Sequence, residues 1–351
     1  MDAQVRVRRL IDAARQIADP ETPLGKLARE RLPDSTGLSP AGVDFALRQS
    51  LEADATDAEI EALCQAATPV GHAHVLLSAN VFVAALRAIA IALAAAPRVS
   101  VRSSRREGVM AELLQSGSDA FDRVEALEPR PGDHVWAYGS DQTIESLRQS
   151  LPPGVVVHGH GTGFGVAVVE LDGAAELEPI AAALARDVAL FDQRGCLSPR
   201  ICIVLAERAR ARRFAEETAR ALGELELSIP RGRLSAEEAA DERRFRDAAA
   251  FAFELFAAGQ GAVSFDAGGE RWIVPPAGRN LHLARADVRD LARLGQLEPS
   301  IVALGVSAAC PVRDELRALL RYARVSALGS MQRPRLDGPV DRRCGALPRD
   351  W

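Results

Sequence analysis

One cysteine of the chain stands in a sequence context that suits nucleophilic chemistry. Cys196 lies between an amphipathic stretch, 177–190, and an apolar run, 201–206. This order predicts a helix, a sharp turn and a buried strand, with Gly195 and Pro199 restricting the backbone on either side of the thiol. A thiol displayed between two rigid elements can attack a carbonyl and hold an acyl group as a thioester. The pattern therefore indicates covalent catalysis through Cys196.

The other cysteines give no indication of metal or disulfide chemistry. The five cysteines are scattered and make no CxxC pair, so we expect reduced thiols, no disulfide framework and no metal site. Cys202 falls within the apolar run and is expected in the core, as are Cys64 and Cys310. Cys344 lies near the C-terminus, and nothing in its context assigns chemistry to it.

The composition restricts the class of protein and its partners. A chain of 351 residues, 48% hydrophobic and 26% charged, predicts a soluble protein of two domains. The net charge of -5 gives no reason to expect nucleic acid or an anionic membrane as a partner. The apolar run 81–97 carries Arg87 and is too short to span a bilayer, so it predicts a buried helix. No signal peptide is apparent, and Lys26 is the only lysine, which indicates a cytoplasmic protein of a GC-rich bacterium.

Helices are predicted for the first 66 residues. Apolar spacing indicates helices at 6–18, 40–51 and 57–66, with Ser39 and Thr56 as N-caps. The segment 32–39 is typical of a turn-rich connector. This region is expected to cover a sheet, and a contribution to a substrate entrance stays open.

From His72 onwards, strands alternate with helices, which predicts a parallel, doubly wound sheet. Such sheets bind ligands at the carboxyl ends of their strands, and polar residues follow three strands here, at Asn80, 102–105 and 139–141. The GxGxxG fingerprint is absent, and the glycine-rich run 158–165 is expected to be a flexible turn between strands. The predicted elements are strand 74–77 and helix 81–96, strand 98–101 and helix 107–115, strand 134–138 and helix 140–149, and strands 155–158 and 166–171.

The second half predicts a further α/β region around Cys196. Segment 224–247 is expected on a solvated face, and 251–256 to continue a helix. Strands 262–265 and 271–274 are predicted to form a hairpin. The other predicted elements are helix 177–190, strand 201–206, helix 208–222, strand 300–306, helix 311–322 and strand 324–328, followed by a docked arm at 329–351.

Five sequence blocks carry a resemblance to a known family. The most specific are Asp-Gln-Arg-Gly-Cys-Leu-Ser-Pro at 192–199 and Gly-Ser-Met-Gln-Arg-Pro at 329–334. They resemble the catalytic cysteine motif and the C-terminal arm of the LuxC-like long-chain acyl-CoA reductases, members of the aldehyde dehydrogenase superfamily. Shorter blocks at 35–39, 79–81 and 101–105 follow in the family's order.

The resemblance implies an α/β, aldehyde-dehydrogenase-like fold with a doubly wound cofactor-binding domain and an α/β catalytic domain. It divides the chain into a helical N-terminal region 1–66, a nicotinamide-cofactor-binding domain 67–172, a catalytic domain 173–328 and a C-terminal arm 329–351. The region before Asn80 lacks room for the oligomerisation hairpin of many aldehyde dehydrogenases. A homo-oligomer and an acyl-transferring partner protein both stay open.

The family's chemistry implies roles for two residues in acyl transfer. Cys196 would attack an acyl thioester, release coenzyme A and hold the acyl group until a hydride reduces it to aldehyde. The Asn80 side chain and the Cys196 backbone N–H would donate hydrogen bonds to the oxyanion. An alternative for Asn80 is a polar cap on the next helix.

The family also implies where a cofactor binds. Arg102 would pair with a 2′-phosphate, which favours NADPH over NADH without excluding NADH. Ser103 and Ser104 are adjacent candidates. Gly139 and Ser140 match a Gly-Ser pair at a helix N-terminus that faces the pyrophosphate, with an ordinary helix start as the alternative.

A departure from the superfamily concerns the residue that activates water. Aldehyde-oxidising members carry a glutamate where this chain has His158, followed by His160, and no carboxylate occurs until Glu170. The absence favours release of aldehyde. His158 could activate Cys196 or protonate the oxyanion, and a structural role is equally consistent.

The sequence thus predicts NADPH-dependent reduction of a fatty acyl thioester, carried by coenzyme A or a carrier protein, to aldehyde. Two alternatives stay open. One is an acyl-phosphate reductase, which also uses a cysteine thioester. The other is a catalytically silent homologue that binds acyl groups or serves as a scaffold.

Overall fold

The computed structural model describes residues 2–171, 176–298, 300–308 and 310–338. The chain forms two compact units. The first contains residues 2–162 together with 333–338, and the second contains the described residues from 163 to 332. None of the described helices is long and apolar enough to cross a bilayer.

Four helices open the first unit, as predicted for this region. Thr22, Ser39 and Thr56 each accept a backbone N–H at the start of a helix. The expected connector at 32–39 is wrong in part, because the second helix runs through Pro33 to Thr36. It ends at Gly37, which has a φ of 72°. A residue without a Cβ atom adopts this left-handed conformation at little cost. The helices are α1 (Ala3–Ala18), α2 (Pro23–Thr36), α3 (Pro40–Gln49) and α4 (Asp57–Ala66).

The first unit is built on a five-stranded sheet in which all strands are parallel. The strand order is β3-β2-β1-β4-β5, so the chain reverses its direction across the sheet between β1 and β4. Ligands of such sheets bind at this reversal point, outside the carboxyl ends of the strands. The elements are β1 (His72–Leu76), α5 (Ala84–Ala95), β2 (Arg98–Arg102), α6 (Val109–Ser118), β3 (Asp122–Arg123), β4 (His134–Tyr138), α7 (Asp141–Ser150) and β5 (Val156–His160).

The second unit contains a seven-stranded sheet of order β12-β11-β6-β7-β10-β9-β8. All pairs are parallel except β8 with β9. One face packs against α8 and α9, and the other against the segment 288–297 and α11. The elements are β6 (Phe164–Glu170), α8 (Leu177–Ala189), a 3-10 turn (Leu190–Gln193), β7 (Pro199–Leu205), α9 (Arg208–Ser228), α10 (Ala236–Ala252), β8 (Glu254–Ala258), β9 (Gly261–Asp266), β10 (Asn280–Ala286), a 3-10 segment (Val288–Leu297), β11 (Ile301–Val306), α11 (Arg313–Leu319) and β12 (Arg324–Ala327).

The structure corrects two predictions in this unit. The helix expected to include 251–256 ends at Ala252, and Glu254–Ala258 is instead an edge strand that pairs with β9. The predicted hairpin between 262–265 and 271–274 is therefore wrong, because the partner of β9 precedes it. Gly259, with a φ of 63°, makes the connecting turn.

The glycine-rich run 158–165 was expected to be a turn between strands, and in the structure this connection is limited to residues 161–163. Residues 158–160 end β5, and Phe164 begins β6. At Gly165 a Cβ atom would lie 2.6 Å from the carbonyl oxygen of Leu197. A close approach of two backbones therefore explains this glycine, and phosphate binding is not needed.

Candidate active site

The chain reaches the predicted nucleophile through an unusual turn. After α8, Phe191, Asp192 and Gln193 have φ values of 55°, 49° and 64°. Each left-handed residue that is not glycine costs on the order of 1 kcal/mol. Three in succession persist only where surrounding groups hold them.

Asp192 provides the first set of these holding contacts. Its side chain is buried, and Oδ1 accepts hydrogen bonds from Nε and Nη2 of Arg279 at 3.1 and 2.8 Å. Oδ2 accepts the N–H of Gly232 at 2.9 Å, and its backbone oxygen accepts the N–H of Gly278 at 3.0 Å. Arg279 is itself buried and donates to the carbonyl of Ile229. The buried ion pair therefore ties the turn to the segments that precede α10 and β10.

Gln193 provides the second set. Its Nε2 donates to the carbonyl oxygens of Pro199 and Asn280 at 2.8 and 2.6 Å, and its Oε1 accepts the N–H of Asn280 at 2.9 Å. The side chain has no exposed surface. It fixes the turn to the first residues of β7 and β10, the two strands that meet beside the thiol.

The residues after Cys196 are held as firmly as those before it. Ser198 accepts the N–H of Gly165 on its carbonyl and Nε2 of Gln332 on its Oγ, at 2.9 and 2.7 Å. Cys196 itself is half-buried. The turn thus presents a partly accessible sulfur on a backbone that is fixed on both sides, which is the arrangement expected of a nucleophile.

The Gln332 contact depends on a buried carboxylate in α8. Asp187 accepts the N–H groups of Gly329 and Met331 at 2.6 and 3.0 Å. Its backbone oxygen also accepts Nε2 of Gln332. Burial raises the pKa of Asp187 to about 7. Part of the block at 329–334 is therefore docked on the helix that leads into the cysteine turn.

The other cysteines fit structural roles. Cys202 is fully buried in β7, and burial raises the pKa of its thiol. Cys310 is buried, as predicted, whereas Cys64 is only half-buried, so its predicted place in the core is wrong. Burial raises the pKa of both thiols. No disulfide joins the four cysteines that the structure describes, and Cys344 lies outside the described residues.

In the first unit, Asn80 and the predicted cofactor residues lie along the carboxyl edge of one sheet. Asn80 follows β1, Arg102 ends β2, and Gly139 and Ser140 follow β4. Because these are adjacent parallel strands, the residues flank the point where the strand order reverses.

A groove of about 610 Å³ opens at the ends of β2 and β3. Its polar lining comes from Arg102, Ser103, Arg105, Arg123 and Glu125. The Ser103 hydroxyl is buried and has no hydrogen-bond partner among the described residues. Three guanidinium groups and an unpartnered hydroxyl suit a phosphate-bearing ligand.

Arg123 and Glu125 were missed from the sequence, because the strand that positions them has only two residues and no apolar pattern. Ser104, expected beside Ser103, is outside the lining of the groove. Its Oγ accepts the N–H of Arg106.

Asn80 is exposed, four residues beyond the end of β1. Its Oδ1 accepts Nη2 of Arg106 at 3.1 Å. The alternative role as a helix cap does not apply, because α5 begins after Val83 without a side-chain cap. The bond to Arg106 engages the amide oxygen and leaves the Nδ2 group without a partner among the described residues.

Ser140 is the N-cap of α7. Its Oγ accepts the N–H of Thr143 at 3.2 Å, and Gly139 donates its N–H to the carbonyl of His160. The ordinary helix start that was considered for this pair is therefore present. The first N–H groups of α7 point towards the same carboxyl edge, and a helix N-terminus attracts phosphate.

His158 is held within the sheet. Its Nε2 lies 3.0 Å from Nδ1 of His134, and its ring stacks on Trp136 with centroids 4.7 Å apart. Burial lowers the pKa of His158 to about 4, and His134 and His160 add to the effect. A neutral imidazole with both of these neighbours fits a structural role better than proton transfer.

Comparison with solved structures identifies the fold of the chain. The chain is similar to a putative aldehyde dehydrogenase from Burkholderia cenocepacia, with a TM-score of 0.71 and 18% identity over 97% of this chain and 84% of the other. It is also similar to an NAD-dependent benzaldehyde dehydrogenase from Corynebacterium glutamicum, with a TM-score of 0.69 and 15% identity over 93% and 81%. For a Mycobacterium tuberculosis aldehyde dehydrogenase complexed with NAD+, the values are 0.70 and 13% over 94% and 78%. The chain thus has the aldehyde dehydrogenase fold, as predicted.

A family model then narrows the class. Residues 122–292 match the family Acyl-CoA reductase (LuxC). This segment is a LuxC acyl-CoA reductase domain, and it confirms the resemblance drawn from the sequence blocks. This segment, which includes Cys196, is thus similar to oxidoreductases of the acyl-CoA reductase type. No curated protein matches the chain in sequence.

Proposed function

We propose that the protein reduces a fatty acyl thioester to aldehyde through an acyl-enzyme on Cys196, with NADPH as the reductant. The observation that carries this proposal is the cysteine turn. Three left-handed residues are held by the buried side chains of Asp192 and Gln193, and the thiol that follows is partly accessible. Such strain is kept at sites that position a reactive group.

In the first step, the Cys196 thiolate attacks the carbonyl carbon of the acyl thioester. A carbon–sulfur bond to Cys196 forms, the bond to the leaving thiol breaks, and the leaving thiolate takes up a proton. One thioester replaces another, so the exchange is nearly balanced in energy. The backbone N–H of Cys196 is one proposed donor to the carbonyl oxygen, and Nδ2 of Asn80 is the other. Each donor of this kind contributes about 3 kcal/mol in the transition state.

The reductant supplies a hydride to the acyl carbon when it is bound. The residues that fit its phosphates are on the carboxyl edge of the first sheet. Arg102, Arg105 and Arg123 surround the groove at β2 and β3, and Ser103 adds an unpartnered hydroxyl. This concentration of positive charge supports the preference for NADPH, because a 2′-phosphate pairs with guanidinium groups. Gly139 and Ser140, at the N-terminus of α7, would bind the pyrophosphate.

His158 has a positioning role in this proposal. Its neutral ring is stacked on Trp136 and paired with His134, so it braces β5 against β4. Release of the acyl group as aldehyde requires no water-activating carboxylate.

Intact-mass spectrometry tests the acyl-enzyme. The protein is mixed with a long-chain acyl-CoA, and we expect a mass increase of one acyl group, followed by its loss on addition of NADPH. The adduct should be absent in Cys196→Ala and present in Cys64→Ala, the control for a half-buried cysteine elsewhere in the chain. No adduct with any acyl donor contradicts the proposal. An adduct that NADPH and NADH fail to discharge indicates an acyl-binding or scaffold homologue, and an adduct formed only from acyl phosphate indicates an acyl-phosphate reductase.

A further inference from the structure

Two histidines and an aspartate meet at the amino end of the first sheet. His72 and His74 alternate along β1 and therefore point to the same face. Asp133 directly precedes β4, which pairs with β1. One nitrogen or oxygen atom from each of the three residues lies within 4.8 Å of the other two.

The distances match those between the ligands of one metal ion. Oδ2 of Asp133 is 3.2 Å from Nε2 of His74 and 3.8 Å from Nδ1 of His72. In a tetrahedral site with metal–ligand bonds of about 2.0–2.1 Å, neighbouring ligand atoms are about 3.4 Å apart. Small side-chain rotations are thus enough to place all three atoms around an ion.

Two of the three ligands are oriented by further hydrogen bonds. Nε2 of His72 lies 2.9 Å from Oγ of Ser100, so its Nδ1 is the atom presented to the cluster. Oδ2 of Asp133 accepts the backbone N–H of Arg130 at 2.8 Å. Partners of this kind fix the ring and carboxylate orientations of metal ligands.

The third ligand is the most buried. His74 is 1% exposed, and its ring lies 4.0 Å from that of His72. Its Nδ1 has no hydrogen-bond partner among the described residues. Within this part of the chain, therefore, only its Nε2 is directed at a polar group, and that group is the Asp133 carboxylate.

The cluster faces a cavity of about 820 Å³. This volume gives room for a water molecule or another small ligand in a fourth coordination position. Glu125 and Glu128 line the cavity, as do Arg98 and Arg130. Two acidic and two basic side chains offset each other, so the Asp133 carboxylate remains to balance part of the charge of a bound cation.

We propose that His72, His74 and Asp133 bind a divalent transition-metal ion of the zinc class. Imidazole and carboxylate ligands in this number suit zinc and its neighbours in the first row. The site is formed by the first residues of β1, whereas the cofactor groove is formed by the last residues of β2. The ion would brace β1 against β4 and take no part in acyl transfer. The expectation that the chain has no metal site was drawn from its cysteines, and this site uses none.

Zinc binding to the full chain tests the site. A chelator first removes any bound metal, and Zn²⁺ is then added back. We expect one Zn²⁺ per chain by elemental analysis, and a Kd below about 1 µM in competition with a chromophoric chelator. Co²⁺ in the same site should give the visible absorption of a tetrahedral ion without a thiolate charge-transfer band. Zinc at about 100 times its Kd should raise Tm by about 5–10 °C.

Matched variants separate this site from other zinc-binding groups. His72→Gln keeps a group near Ser100 but removes the ligand nitrogen, and Asp133→Asn keeps the shape and an acceptor for Arg130. We expect each to weaken binding at least about 100-fold and to abolish the rise in Tm. His160→Gln, on β5, should bind zinc as the wild type does.

Several outcomes overturn the proposal. One is the absence of stoichiometric Zn²⁺ at about 10 µM free metal. Others are a thiolate charge-transfer band with Co²⁺, or affinity that is unchanged in both variants. All these measurements are independent of acyl transfer to Cys196, so the site can fail while the proposed function holds, and the reverse.

Discussion

Asp192 and Gln193 hold the backbone turn that leads to Cys196, the proposed nucleophile, although neither side chain is part of the proposed acyl transfer. Both are buried, and between them they hydrogen-bond to four residues from three segments of the second unit, Pro199, Gly232, Arg279 and Asn280. The energy of three left-handed residues is thus offset by hydrogen bonds between buried groups. Individual residues of this turn act by positioning, and their loss should affect stability and acylation together.

Replacement of Asp192 by asparagine tests the buried ion pair. Asparagine keeps the shape but removes the negative charge, which leaves the buried Arg279 guanidinium without its closest partner; Glu226 is 3.6 Å away. We expect the free energy of unfolding to fall by about 3 kcal/mol. Chemical denaturation measures this change.

The control for this prediction is Asp12→Asn, which removes an exposed ion pair with Arg15 and should cost less than about 1 kcal/mol. Equal stability of Asp192→Asn and the wild type would contradict the inferred role. The rate of acylation of Cys196, followed by mass spectrometry, should fall in Asp192→Asn and stay unchanged in Asp12→Asn.

At the scale of elements, two buried charged side chains attach the C-terminal segment to helices. In the second unit, Asp187 of α8 binds the N–H groups of Gly329 and Met331. In the first unit, Arg87 of α5 donates to the carbonyls of Pro334, Arg335, Leu336 and Gly338 and pairs with Glu52. A segment without regular structure is thus held through its backbone groups, which would otherwise lack partners in the interior.

The Asp187 contact should make stability depend on pH. Its pKa is raised to about 7 in the folded protein, from 3.8. The folded state therefore holds a proton that the unfolded state has lost between these values. The contribution of this proton is fully present below about pH 4 and is lost as the pH rises to 7.

Relative to Asp187→Asn, which cannot titrate, the wild type should lose on the order of 4 kcal/mol of unfolding free energy between pH 4 and pH 7.5. Denaturant unfolding of both proteins across this range measures the difference. A difference that is constant with pH, or that grows in favour of the wild type, would show that the carboxylate is ionised throughout.

The Arg87 contact should be a large contributor to the stability of the first unit. Arg87→Met leaves the buried Glu52 carboxylate without its cation and removes donors from four carbonyl groups. We expect a loss of about 3–5 kcal/mol. Arg148→Met, on the exposed surface of α7, should cost less than about 1 kcal/mol.

The double variant Arg87→Met/Glu52→Gln distinguishes a buried charge from a simple loss of packing. If the unpaired carboxylate is the main cost, the double variant should be more stable than Arg87→Met alone. Thermal unfolding of the wild type, Arg87→Met, Glu52→Gln and the double variant completes the cycle. Additive losses of stability would argue against coupling of the two side chains.

For the whole molecule, the residues proposed to bind the cofactor belong to the first unit, and the proposed nucleophile Cys196 belongs to the second. The sheet of the first unit collects its polar residues on one edge because its strands are parallel. The basic groove on that edge has a direct consequence for the choice of reductant. Arg102 and Arg105 have no ion-pair partner among the described residues, so their charge is available to a ligand.

Arg102→Ala should raise the KM for NADPH by about 10- to 150-fold, with at most a few-fold change for NADH. The reason is that the lost charge-assisted hydrogen bonds, about 1.5–3 kcal/mol, concern only the 2′-phosphate. Steady-state kinetics with a saturating acyl-CoA measure both values. Arg98→Ala, at the other end of β2, is the matched control. A similar loss with both cofactors would assign Arg102 to a group that NADPH and NADH share.

The sequence by itself determined the fold class, most helices and parallel strands, and the family. Cys196 and the arm block have distinctive local sequences, and hydrophobic periodicity is a local property, so both can be recognised without a structure. The two-residue β3, the helix α2 and the edge strand β8 were missed. Their formation depends on neighbouring elements and not on their own residues.

Only the tertiary structure decided which residues support the chemistry. Arg279 and Asn280 lie 87 positions from the turn that they hold, and Arg123 reaches the cofactor groove from a strand without a sequence signal. His72, His74 and Asp133 have no common motif, because 59 positions separate His74 from its carboxylate. Polar contacts between distant segments leave no periodic pattern in the chain, since each needs only one residue at one point of the fold. For that reason the sequence was enough to propose Cys196 as the nucleophile, whereas the contacts that hold its turn in place came only from the structure.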